Sequence, residues 1–195
     1  MTEPLRSPGA AALELAAWLD AWRPVSAGQE RLRTDYAAFL RARPQATLDR
    51  DGGPEHLTAS CFVFTPDLDR VLLCLHKKGR FWVQLGGHIE SSDTSVAAAA
   101  FREAREEGGI PGLRPWGMTP LDVNRHALSA AFGRCRTHWD VGYAAVVDAD
   151  ASPVSSAESD DVAWWPTDGL PTGVPDGFAE RLDTVLAELR HRSST

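Results

Sequence analysis

Apolar positions recur along this chain with two different periods, and the change from one to the other marks out its elements. Near the amino terminus the spacing is helical. Leu13, Ala17 and Trp18 share one side of residues 10–22, and Leu32, Tyr36, Phe39 and Leu40 do the same within residues 29–43. Arg23-Pro24 separates these two helices, because proline cannot continue a helical ladder. A turn-rich stretch, QATLDRDGGPE, then leads to a first strand over residues 57–65. Pro66 to Asp69 suits a turn, residues 70–76 alternate into a second strand, and Lys77-Lys78-Gly79-Arg80 reads as an exposed basic loop. Phe81 and Trp82 belong to a short aromatic strand, where filling the sheet is the commoner role and stacking on a base the rarer one. Residues 116–127, 138–148 and 161–165 read as later strands, residues 111–115 as a loop, and residues 178–190 as a closing amphipathic helix.

Between these strands lies a helix with chemistry on it. Asp93, Thr94 and Ser95 offer caps, residues 96–107 are rich in helix formers, and Gly108-Gly109 can end the run. Val96, Ala100 and Ala104, with Phe101 beside them, form an apolar stripe that can lie on a sheet, leaving the charge for the opposite side. Glu103, Glu106 and Glu107 stand at i, i+3 and i+4, so their carboxylates meet over successive turns near the end of the helix dipole that disfavours anions. A divalent cation would relieve that conflict, and all-oxygen ligands select a hard ion, Mg2+ first and Mn2+ as a substitute. Taken alone, REAREE also describes a solvated helix in which Arg102 and Glu106 form a surface pair. The preceding Gly86-Gly87-His88-Ile89-Glu90 alters the balance, because a glycine turn followed by a capped helix delivers the acids at a fixed distance.

This string resembles the signature of the Nudix hydrolase family: glycine, five residues, an acid, a spacer, then Arg-Glu-x-x-Glu-Glu-x-Gly and an apolar residue. Gly87 begins the box, Arg102-Glu103 and Glu106-Glu107 match its two pairs, and Gly109-Ile110 closes it. Two positions depart from the pattern. The early acid is Asp93 rather than Glu, and eight residues instead of seven separate it from Arg102. The resemblance covers roughly residues 56–190 and implies an α/β fold, a Nudix-type α/β/α sandwich with a mixed sheet, here with an amino-terminal helical extension. The division it suggests is an extension and linker over residues 1–55 and a catalytic domain over 56–195. It also implies Mg2+ held by Glu103, Glu106, Glu107 and the Gly87 backbone, with Arg102 orienting the loop through Asp93. Glu106 or Glu107 would serve as catalytic base, and Glu158, a late loop acid, as an additional base or ligand beside its reading as a solvated side chain.

The implied reaction is Mg2+-dependent hydrolysis of a diphosphate linkage in a nucleoside diphosphate derivative or similar small molecule. Two alternatives share the scaffold: a non-catalytic sensor of nucleotide ligands, and an enzyme like isopentenyl diphosphate isomerase, for which no cysteine and acid pairing is evident. Arg80 is the candidate substrate contact of the basic loop, since its fork can grip two phosphate oxygens.

Charge and composition narrow the partners. A formal net charge of −7 disfavours a nucleic-acid polymer, since no basic stripe is available to neutralise successive phosphates. The sequence contains no run long and apolar enough to span a membrane. Cys61, Cys74 and Cys135 show no Cys-x-x-Cys spacing, which fits a reducing, cytoplasmic setting. His126 and His138 have no cysteine or histidine partner at a recognised ligand interval, so ordinary hydrogen-bonded strand histidines are expected rather than zinc ligands. A homodimer is implied only by the family resemblance.

Overall fold

The computed structural model describes residues 8–129, 133–148, 150–154 and 159–194. Two helices lead, α1 (Pro8–Ala21) and α2 (Ala27–Ala42), the second started by Ser26, whose Oγ accepts the Gly28 N–H at 3.2 Å. Eight strands follow in one mixed sheet: β1 (Glu55–Phe64), β2 (Arg70–His76), β3 (Phe81–Val83), β4 (Leu85–His88), β5 (Arg114–Pro115), β6 (Asp122–Ala127), β7 (Thr137–Val146) and β8 (Ser159–Pro166). Helix α3 (Val96–Gly108) separates β4 from β5, and α4 (Phe178–Ser193) closes the fold. The backbone of the sheet runs β3-β2-β1-β7-β5, with β4 on β1, β6 on β7 and β8 on β2. β1 and β7 are parallel over their whole length, from Glu55 opposite Thr137 to Phe64 opposite Val146, while the other pairs are antiparallel.

The strand expected over residues 116–127 begins only at Asp122, and Arg114-Pro115, expected in a loop, pair with β7 instead. Pro115, Gly117 and Pro120 account for the difference. Two prolines remove ladder donors and the glycine packs no side chain, so the pairing is interrupted between two short segments.

Alternation along β1 sends its side chains to two cores. Leu57, Ala59, Cys61 and Val63 join a cluster with Leu15 and Leu19 of α1, Tyr36 and Leu40 of α2, and Ala100, Phe101 and Ala104 of α3. Phe62 and Phe64 face the other way, against Phe178, Leu182, Val185 and Leu189 of α4. Helices therefore cover both faces of the sheet, in an α/β/α sandwich. The amino-terminal helices are anchored by Trp139, whose ring stacks on Phe39 at 4.2 Å and meets Tyr36 edge-on at 4.9 Å.

A buried polar network occupies the α4 side of the sheet. Asp140 accepts Thr58 Oγ1 at 2.9 Å, Ser60 Oγ at 2.6 Å and Arg181 Nη2 at 2.6 Å. Asp122 accepts Arg181 Nε at 2.7 Å and Gln29 Nε2 at 3.0 Å, and Tyr36 Oη donates to the Asp140 carbonyl at 2.9 Å. Burial raises the pKa of the Asp122 carboxyl even against the Arg181 charge. Asp140 is buried too, but Arg181 and Ser60 outweigh that burial and hold its pKa below the ordinary value. Among the described residues no helix is long and apolar enough to cross a membrane.

Candidate active site

Helix α3 is held at both ends by its own sequence. Ser95 caps the start, its Oγ accepting the Ala98 N–H at 3.0 Å, and Gly109 ends it in the left-handed region at φ 56° with its N–H on the Arg105 carbonyl. Val96, Ala100, Phe101 and Ala104 are all buried, as their spacing predicts. The buried face extends further than the apolar stripe. Glu107, seven residues beyond Ala100 and thus two turns along the same face, is only 6% exposed. The expectation that the charges occupy the opposite side holds for Glu106, whose side chain is 60% exposed, and fails for Glu107.

The buried carboxylate has a reason to be there: Glu107 Oε2 accepts the Gly86 N–H at 2.8 Å. Glu103 reaches the adjacent residue, its carboxyl lying where a Cβ on Gly87 would stand, 2.7 Å from Cδ. A side chain at position 87 would displace the Glu103 carboxyl, so the glycine pair, expected in a turn and found in β4, lets the strand and the helix fit together. Two of the acids thus bear on the backbone of the glycine pair.

Arg102 organises the rest. Its Nε and Nη2 grip Asp93 Oδ1 and Oδ2 at 2.9 Å each, Nη2 also reaches the His88 carbonyl at 3.0 Å, and Nη1 lies 3.0 Å from both Glu103 Oε1 and Glu106 Oε2. The Asp93 hydrogen bonds, opposed by partial burial, raise the Arg102 pKa and keep the guanidinium charged. The shorter acid and the longer spacer therefore still deliver a two-pronged pair, and Asp93 also accepts the Glu90 N–H at 2.8 Å, closing the loop. An oxygen-only donor set of this kind suits Mg2+, which is usually held by one or two carboxylates, waters and substrate phosphates and needs no closed protein cage.

Arg80 lies on the surface, its side chain 76% exposed and paired with Asp160 at 3.2 Å. Phe81 and Trp82 are partly buried, the latter edge-on to Trp165 at 5.4 Å. Glu158 lies outside the described residues. A cavity of about 640 Å³ opens beside the end of β1, with Arg50, Lys78, Arg134, Arg136 and Cys135 in its lining. Asp51 lines it as well, and apart from Lys78 of the basic loop the linear pattern does not announce this gathering of cations, which come together from distant segments.

The histidines also depart from expectation. His56, His88 and His138 converge on one face of the sheet with Cys135 beside them, and of the four only Cys135 and His138 are close in the chain, at Cys-x-x-His spacing. Strand pairing creates this group, placing His56 opposite His138.

The family model described as NUDIX domain matches residues 54–189 of this chain. No curated protein matches the sequence. Among solved structures, a hydrolase of the NUDIX family from Clostridium perfringens is 25% identical, with 70% of this chain and 97% of that one covered at a TM-score of 0.55. The NUDIX domain of Shewanella oneidensis NrtR, solved with ADP ribose, is 22% identical over 68% of this chain and 87% of its own, at a TM-score of 0.53. A UDP-X diphosphatase, 13% identical, superposes on 94% of each chain at a TM-score of 0.53, a share that reaches into the amino-terminal helices.

Proposed function

The chain belongs to the NUDIX family, and we propose that it hydrolyses the diphosphate linkage of a small nucleoside diphosphate derivative with Mg2+, Mn2+ serving as a substitute. The observation that carries this reading is the contact of Glu103 and Glu107 with the Gly86-Gly87 backbone while Arg102 is clamped by Asp93. In this reading Glu103, Glu106 and Glu107 hold the cation and the Gly87 carbonyl adds an oxygen. When bound, the ion supplies charge neutralisation at phosphate and a more acidic water.

The chain's own residues divide the remaining work. The Gly86 N–H holds the Glu107 carboxylate in one orientation, and Arg102 does the same for Glu103 and Glu106. Glu106, open to solvent, is the acid best placed to take the proton of an attacking water, with Glu107 the other candidate and Glu158 a possible additional base or ligand. The cavity walled by Arg50, Lys78, Arg134 and Arg136, with Asp51 among them, carries the charge to hold the anionic part of a substrate, and the exposed Arg80 is a further contact in this reading. The ADP ribose in the Shewanella NUDIX domain supports a nucleoside diphosphate as substrate class.

The test is product release from a panel of nucleotide sugars, ADP ribose, dinucleoside polyphosphates and oxidised nucleotides with Mg2+, for the native protein beside Glu107→Gln. The amide preserves volume and the Gly86 contact while removing the charge. Turnover by the native protein, reduced at least about 100-fold in the variant, is expected. Equal turnover would remove Glu107 from the mechanism, and ligand binding without turnover by either protein would favour a nucleotide sensor.

A further inference from the structure

The ends of four neighbouring strands place histidines in a row. β4 contributes His88, β1 His56, β7 His138 and β6 His126, with His56 opposite His138 and His138 opposite His126 in the ladders. Because His88 pairs with Thr58, two residues along β1 from His56, it lies on the same face. The rings of His56, His88 and His138 form a triangle with centroid separations of 5.0, 5.1 and 5.2 Å. Cys135, in the loop just before β7, completes the group: one ligand atom from each of the four residues lies within 4.8 Å of all the others. Among the described residues this is the group of three or more metal-ligating side chains gathered so closely.

Packing alone leaves this arrangement unsatisfied. His138 Nε2 is buried without a hydrogen-bond partner, which costs the full desolvation of a polar group. His56 Nε2 and His88 Nε2 face each other at 3.1 Å, close enough for one neutral ring to donate to the other, a hydrogen bond that a shared metal ion would replace. His56 Nδ1 faces the Gly53 carbonyl at 3.4 Å, and donation to it selects the tautomer whose Nε2 lone pair points inward. His126 is engaged elsewhere, its Nδ1 at 3.1 Å from Asn124 Oδ1.

We propose that His56, His88 and His138, through Nε2, and Cys135, through Sγ, form a tetrahedral site for zinc, separate from the carboxylates of α3. Three imidazoles and a thiolate select a borderline ion and reject Mg2+, which takes oxygen. Four protein ligands fill the coordination shell, so the site is structural rather than catalytic. Zinc–ligand bonds place tetrahedral donors about 3.5 Å apart, a contraction that small side-chain rotations supply. On binding, the Cys135 thiol releases its proton to solvent and no oxidation state changes. The site ties four segments together, and one of them is functionally placed. His88 directly follows the glycine pair, and its carbonyl accepts Arg102 Nη2, so the metal would hold the glycine turn from behind. This inference stands on the histidine and cysteine geometry and does not depend on the hydrolase reading.

Cobalt is the probe. Chelator-stripped native protein titrated with Co2+ is expected to bind one equivalent, with tetrahedral visible bands and a thiolate-to-cobalt band in the near ultraviolet, and one equivalent of Zn2+ should displace it. Cys135→Ser should lose the thiolate band, and His138→Ala the tetrahedral bands. The double variant Glu103→Gln, Glu107→Gln should keep both. Absence of the thiolate band in the native protein, its persistence in Cys135→Ser, or its loss in the carboxylate variant would each overturn the proposal. The native spectrum decides even if a ligand variant fails to fold, and circular dichroism identifies such a failure.

Discussion

At the scale of the residue, the Asp93–Arg102 pair shows how a departure from a pattern can be absorbed. Aspartate is one methylene shorter than glutamate and the spacer one residue longer, yet both carboxylate oxygens reach the guanidinium. Asp93 is 4% exposed, and Arg102 is 20% exposed with other acids beside it, so removing the aspartate disrupts a largely buried junction. Asp93→Ala should lower unfolding stability by about 3 kcal/mol in urea denaturation, the lower end of what breaking a buried pair costs. The pairing was expected from the family resemblance, and both carboxylate oxygens bear it out. The burial of Glu107 was not, because periodicity assigns a charge to the solvent face and carries no information about a backbone N–H waiting on a neighbouring strand. The same holds for the histidines. Ligand spacings along a chain describe sites built on one hairpin or helix, whereas these donors are assembled across strand pairs.

At the scale of the element, helices were the most legible parts, since caps and apolar stripes are local properties. Ser95 was among three proposed caps for α3, and it is the one that bonds to the backbone. Ser95→Ala should therefore cost about 1 kcal/mol, measured as a lowered midpoint of thermal or urea unfolding. Because the cap also sets where the helix begins, the substitution should weaken the proposed metal-dependent turnover through the position of Glu103 before it affects the rest of the fold. The strands were less legible: β4 lies where a glycine turn was read, and β5 where a loop was. β5 is two residues long, and no propensity scale distinguishes such a segment from a loop; only the free edge of β7 makes it a strand.

At the scale of the whole molecule, Arg181 links parts of the chain that the linear pattern treats separately. It lies between Asp122 of β6 and Asp140 of β7, while Gln29 of α2 bonds to Asp122 and Tyr36 of α2 to the Asp140 carbonyl. Arg181→Leu would leave two buried carboxylates without a counter-charge and should destabilise the protein by at least about 3 kcal/mol, read from equilibrium unfolding. A stability loss that extends to α2, seen as loss of the Trp139 environment in fluorescence, would follow from the bonds of Gln29 and Tyr36 to this network. The parallel ladder of β1 with β7 has a consequence in time. Its two strands flank almost everything of chemical interest, so a nascent chain leaving the ribosome presents the complete glycine turn and acid-bearing helix before the central neighbour of β1 has been synthesised. Closing so long a loop precedes any reward from the pairing, which makes it the slow step. The acid-bearing helix thus waits on its sheet, and during that interval the exposed edge of β1 is where a chaperone would be needed.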